Sequence, residues 1–136
     1  MSAGYSGTSL IKKLGLAPGM KAAFPGAPDH YRTLLGELPE DLRILTRLGR
    51  EMDFIHFFTH RRAELLRRLP ALKKALAPAG MLWISWPRKT SRLEKDLAEG
   101  NVRAARLASG LVDGKICAVD DDWSGLKFVY RLRDRG

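Results

Sequence analysis

The sequence predicts an α/β domain with a mainly parallel sheet that closes in an antiparallel strand pair. Short apolar runs suited to strands alternate with stretches whose leucines recur at helical spacing. The connections among the first four runs are long enough to be crossovers. The last two runs are joined by too few residues for a right-handed crossover, so as neighbours they must pair antiparallel. The chain of 136 residues is large enough for one core without staples. It is taken as a single domain over 1–136, with 1–19 as an arm and a short helix.

The elements follow in order. Residues 1–7 (MSAGYSG) suggest an irregular arm. Thr8 or Ser9 caps a short helix with Leu10, Ile11 and Leu14 on one face, ended by Gly15. A turn at Pro18-Gly19 leads into the first strand, Met20 to Phe24. His30 to Leu35 forms a short helix with Asp29 as its N-cap. Leu42 to Thr46 is the second strand, and DFIHFF, Asp53 to Phe58, is a third one apolar enough for the interior of a parallel sheet.

A longer helix is expected over Arg61 to Ala77, its buried stripe made by Leu65, Leu66, Leu69, Leu72 and Leu76. Pro70 should kink it or start a second segment. Pro78 and Gly80 stop it before a fourth strand, Met81 to Trp86. A further helix is best defined over Val102 to Ser109, with Gly110 as its C-cap. KICAV and LKFVYRL close the chain as strands joined by DDDWSG.

Composition narrows the function classes. Apolar residues are 45% and charged residues 29% of the chain, an ordinary mixture for a soluble protein. Cys117 is the only cysteine, which excludes an intrachain disulfide and a thiolate metal cluster. No apolar run is long enough to span a bilayer, so no membrane partner is expected. The first twenty residues lack the apolar stretch of a secretory signal, which points to the cytoplasm. The formal charge is +9, and residues 60–92 hold nine of the 24 basic side chains against one acid, Glu64. Such an excess attracts a phosphate-bearing ligand or a nucleic acid, or it simply solvates a face.

In an open α/β sheet, ligands sit outside the carboxyl ends of the strands. Those ends supply Pro25 to His30 after the first strand, Thr59 to Arg61 after the third, and Pro87, Arg88 and Lys89 after the fourth. The candidate pocket is therefore Asp29, His30, His60, Arg61, Arg88 and Lys89, an anion site between strands one, three and four. The stretch KAAFPGAPDHY tests whether a cofactor belongs there. A cofactor loop needs several glycines so that its N–H groups approach the ligand. This one has a single glycine, and Pro25 and Pro28 have no N–H. After the second strand, where an acid would hold a ribose, the sequence reads TRLGR. No cofactor is assigned.

The remaining motifs yield little chemistry. His56 and His60 are too far apart along an extended strand to chelate one ion, and no metal is assigned. His56 suits a packed position inside the sheet, and His60 a helix cap or ligand contact. DDDW, Asp120 to Trp123, lacks the alternating ligands of a calcium loop and fits a charged hairpin turn. Cys117 suits a small buried strand position. Trp83 is assigned to the core, and Trp86 and Trp123 to a partly exposed pair.

One resemblance adds to this. ALAPAGMLWISW is similar to the segment of class I methyltransferases in which a helix ends and the next strand begins. GYSGT, LIKKLG, DFIHFF, LKKAL, MLWISWPRK and LVDGKICAVDDDWSGLKFV together resemble a family of small bacterial proteins of unknown function. The resemblance implies a three-layer Rossmann-like fold, a reduced class I methyltransferase with one strand fewer beyond strand two, and it carries no established activity, substrate or catalytic residue. With the cofactor features missing, the leading expectation is a non-catalytic binding protein with a degenerate cofactor loop. The alternatives are a small enzyme with a rearranged strand-end pocket, with His60, Asp29 and Ser85 the residues to inspect, and a nucleic-acid-binding protein using residues 60–92.

Overall fold

The computed structural model describes residues 9–135, so the expected arm over residues 1–7 and Thr8 lie outside the described residues. Helix α1 (Leu10–Leu14) starts where the Ser9 hydroxyl accepts from the Lys12 N–H, and it ends at Gly15 with φ 82°. Strand β1 (Lys21–Ala23), α2 (Tyr31–Leu35), β2 (Arg43–Leu45) and β3 (Met52–Phe58) follow. Then come α3 (Arg62–Ala75), β4 (Leu76–Pro87), α4 (Glu99–Ser109), β5 (Val112–Ala118) and β6 (Trp123–Val129). The six strands form one sheet in the order β2-β1-β3-β4-β6-β5. The first four are mutually parallel, and β6 runs antiparallel to both β4 and β5. β2 is the sheet edge, so no further strand lies beyond it among the described residues.

Both faces of the sheet are covered, giving three layers. Strand alternation sends Phe54 and Phe58 of β3 to one side and Ile55 and Phe57 to the other. The first side packs Leu14 of α1, Tyr31 and Leu35 of α2, Trp83, Val119 and Trp123. The second packs Leu65, Leu69 and Leu72 of α3 and Val102 and Ala105 of α4 against Ile84, Trp86, Leu126 and Phe128. Burial on both faces explains why β3 and β4 are almost continuously apolar.

Several boundaries differ from the sequence reading, each for a physical reason. The buried stripe of α3 is Leu65, Leu69, Leu72 and Ala75, while Leu66 is 49% exposed. One residue on from Leu65 turns a helix by about 100°, enough to leave the stripe. Pro70 sits inside a single helix on its exposed side, where water can satisfy the carbonyl that proline leaves unpaired. β4 begins at Leu76 rather than Met81, because Leu76 already pairs with Met52. The register then jumps to Phe54 opposite Met81. The extra residues bulge out of the ladder, which is how Pro78 and Gly80 are tolerated within a strand.

α2 starts at Tyr31 with His30 rather than Asp29 as its N-cap, and no side chain bonds the helix end. β6 starts at Trp123, so the last link is shorter than DDDWSG. Trp123 and Trp86 are consequently buried, at 4% and 3% exposure. Cys117 lies on the edge strand β5 and is half-buried rather than enclosed.

Leu69→Ala is expected to lower the unfolding free energy by about 3 kcal/mol, since it leaves a cavity under α3. Urea denaturation measures it. An unchanged midpoint would show that the side chain contributes nothing to the core.

Candidate functional site

The crevice expected at a chain reversal lies between the carboxyl ends of β1 and β3, since successive connections leave β1 in opposite directions there. Here it is closed. The Phe58 N–H donates to the Pro25 carbonyl at 3.0 Å, stitching the loop after β1 onto the end of β3. Gly26 has φ 76°, and a Cβ on it would stand 2.4 Å from the Phe58 carbonyl oxygen. The single glycine of PGAPDH thus serves close approach of backbone to backbone.

Beneath this clasp lies a buried polar chain. Tyr31 Oη is 2.6 Å from His56 Nδ1, and His56 Nε2 is 2.7 Å from Ser85 Oγ. In either tautomer one ring nitrogen donates and the other accepts, so both hydroxyls are satisfied. Burial holds His56 well below its ordinary value, down to about 3, and pushes the Tyr31 phenol far up. Both groups are therefore neutral in the fold. The chain cross-links α2, β3 and β4. Ser85, one of the residues singled out for catalysis, is fully buried within it.

The six candidate side chains fall into separate groups. His30 Nε2 lies 2.9 Å from Asp120 Oδ2, and Arg88 Nη1 donates to the Asp120 carbonyl at 3.3 Å. His60 Nδ1 is 3.0 Å from the Glu94 carbonyl, with its ring edge-on to Trp123. Arg61 Nη2 donates to Glu94 Oε1 at 2.8 Å. Asp29 is exposed in the loop before α2. Arg88 and Lys89 line one crevice together.

Two segments organise this end of the sheet, the charged hairpin turn expected at DDDW and a second one that the sequence reading leaves unassigned. The turn at Asp120–Asp122 is held by its own carboxylate, Asp120 Oδ1 accepting from the Asp122 and Trp123 N–H groups. It also receives His30, Arg88 and, at Asp122 Oδ1, the Ser91 hydroxyl. The second segment, 88–98, crosses the start of α3. There Asp96 Oδ1 accepts the Arg62 N–H at 2.7 Å, a carboxylate at the positive end of the helix. The signal for both was an acid within a basic background. DDDW reads in the sequence as a charged hairpin turn, which it is, but not as a docking point for His30, Arg88 and Ser91.

Between β4, segment 88–98 and α4 lies a crevice of about 700 Å³, lined among others by Trp86, Arg88, Lys89, Lys95, Gly100 and Ser124. Of its two carboxylates, Glu99 pairs with Arg103, while Asp96 accepts the neutral Arg62 N–H and so offsets one of the three cations, Arg88, Lys89 and Lys95. Lys95 is oriented by the carbonyls of Ser91 and Leu93, neutral partners that leave its charge uncompensated. Ala98, the N-cap of α4, offers no side-chain acceptor to the first N–H groups of that helix. The crevice is thus cationic and hydrogen-bond donating. Among the described residues no group of three or more His, Cys, Asp or Glu side chains is placed to hold a metal ion. No described helix is long and apolar enough to cross a membrane.

Comparison with known proteins places the fold. No protein-family model matches the chain, and no curated protein matches it in sequence. A SAM dependent methyltransferase from Aquifex aeolicus superposes with a TM-score of 0.61 at 17% identity, over 88% of this chain and 86% of that one. Magnesium protoporphyrin IX methyltransferase from Synechocystis, with bound SAM, gives 0.56 at 12% identity over 90% and 74%. A possible exported protein from Bordetella parapertussis gives 0.62 at 12% identity over 90% and 65%. The chain has a class I methyltransferase-like, Rossmann-type fold. At these identities the likeness is one of fold alone.

Proposed function

We propose that this protein works through a rearranged strand-end pocket, the crevice between β4, segment 88–98 and α4, and that the pocket takes an anionic small molecule. The observation that carries the reading is the convergence of Arg88, Lys89 and Lys95 on one crevice in which Glu99 is paired with Arg103 and Asp96 is the one carboxylate without a cationic partner among the described residues, leaving a positive excess. Its volume of about 700 Å³ lies within the range of small-molecule sites. It sits at the carboxyl end of the sheet, where open α/β folds do their chemistry, and the methyltransferases among its structural neighbours favour catalytic use over binding alone. Arg88 and Lys89 would bind and orient the anion, with the hydroxyls of Thr90 and Ser124 beside them.

A non-catalytic binding domain is the second reading, favoured by the closed β1 loop and by arginine where a ribose acid would stand. Both readings agree with the resemblance to small bacterial proteins, which carries no established activity. A nucleic-acid surface fits less well, because the basic excess of 60–92 is divided. Arg61 pairs with Glu94, Arg68 covers Phe57, and Lys73 bonds the Ser109 carbonyl.

Calorimetric titration with adenosine monophosphate, at low and moderate salt, tests the pocket. Arg88→Gln with Lys89→Gln is expected to weaken binding about tenfold or more, and Arg67→Gln with Lys74→Gln to change it by less than about twofold. Equal losses in both pairs would instead indicate diffuse electrostatics of the kind nucleic-acid binding shows. Release of S-adenosylhomocysteine from S-adenosylmethionine, with the bound nucleotide as the methyl acceptor, separates the readings, since release abolished by the first pair would place catalysis in this crevice and no release would leave binding alone.

A further inference from the structure

A second cleft lies on the other side of the Pro25–Phe58 clasp. It occupies about 270 Å³ between the ends of β1 and β2 and is lined by Ala23, Pro25, Thr46, Arg47, Leu48 and Arg68. At ~30 Å³ per water this is room for about nine waters, enough for a sugar phosphate and too little for a dinucleotide. Its polar side chains are two guanidinium groups and one hydroxyl, with no carboxylate. Neither arginine forms an ion pair among the described residues. The Arg68 guanidinium lies 5.2 Å from the centre of the Phe57 ring. That stacking restricts its rotamers in advance, so less freedom is lost when it grips a ligand.

The geometry points to a binding site for a small phosphate monoester of a sugar, with Arg47 and Arg68 holding the phosphate. An acid at this position would accept hydrogen bonds from ribose hydroxyls, whereas arginine repels no anion and offers a fork matched to phosphate oxygens. Thr46 adds a hydroxyl at the rim. The site takes its specificity from two guanidinium groups and a hydroxyl with no acid beside them, and it is separate from the β4 crevice because the closed β1–β3 junction lies between them.

The test is an amide-resolved NMR titration of the intact chain with ribose 5-phosphate, and with ribose as the uncharged control. Ribose 5-phosphate is expected to move the Thr46, Arg47 and Leu48 amides saturably, with a Kd of about 1 mM. Ribose should leave them in place. Arg47→Gln, and Arg68→Lys, which keeps the charge and loses the fork, should each weaken binding about tenfold. The dispersion of each variant's spectrum confirms that it is folded. Arg88→Gln with Lys89→Gln should leave this Kd unchanged, so failure of the β4 pocket and failure of this site give different results. The inference is overturned if ribose shifts the same amides as far, if Arg67→Gln weakens binding as much as Arg68→Lys, or if no saturable shift occurs up to about 10 mM.

Discussion

Replacing His56 with alanine is expected to lower the unfolding free energy by about 4 kcal/mol, through a cavity in the sheet and two orphaned hydroxyls. Tyr31 Oη and Ser85 Oγ each have the imidazole as a buried partner. The wild type should also lose stability in acid. The folded state holds His56 neutral, with its pKa down at about 3, while the unfolded chain protonates near the ordinary ~6.5. Because the unfolded state then binds more protons, the His56 contribution is whole above ~6.5 and is lost progressively as pH falls toward about 3. Between pH 7 and pH 5 the loss is about 2 kcal/mol. Urea unfolding of wild type and His56→Gln at both pH values measures it. Parallel pH dependences would show that His56 protonates freely in the folded protein.

Trp83→Ala should be at least as damaging, costing about 5 kcal/mol. Trp83 is fully buried and among the largest enclosed side chains. Its Nε1–H donates to the Leu14 carbonyl at 2.8 Å, so one residue fills the core and ties the end of α1 to the sheet. Trp83→Phe keeps most of the packing and loses the tie, at a cost of about 2 kcal/mol. Hydrogen exchange separates the two parts. Amides of α1 should exchange faster in the phenylalanine variant while those of β3 stay protected. Equal acceleration of both would mean that the indole bond does not hold α1 on its own.

The fold was legible because its two central strands are nearly all apolar and its helices carry clear stripes. DFIHFF and MLWISW needed no tertiary information. The beginning of β4 did, because Pro78 and Gly80 are local stop signals. They are overruled by a bulge that exists only once Leu76 has found Met52. Trp123 was misplaced for a similar reason, its burial depending on where the last hairpin turns. The strand-end candidates do lie at the carboxyl end of the sheet, but pairing was invisible in one dimension. His30 and Asp120 are ninety positions apart, and Arg61 meets an acid in a segment that sequence patterns left unassigned. Arg68 looked like part of a wet helix face until Phe57 appeared beneath it. The absence of a glycine-rich loop, by contrast, could be read directly, since proline has no N–H in any context.

The bond between Pro25 and Phe58 sets a tax on any molecule that seeks the junction of β1 and β3. Such a molecule binds only the fraction of the population in which the two backbones have parted. Where parting costs about 2.7 kcal/mol, that fraction is roughly one in a hundred, and a ligand of micromolar intrinsic affinity is held at only about 0.1 mM. The two neighbouring clefts carry no such tax. A weak binder would therefore settle in the two flanking clefts before the β1–β3 junction, and a designer who wished to open that junction would begin by lengthening the loop after β1.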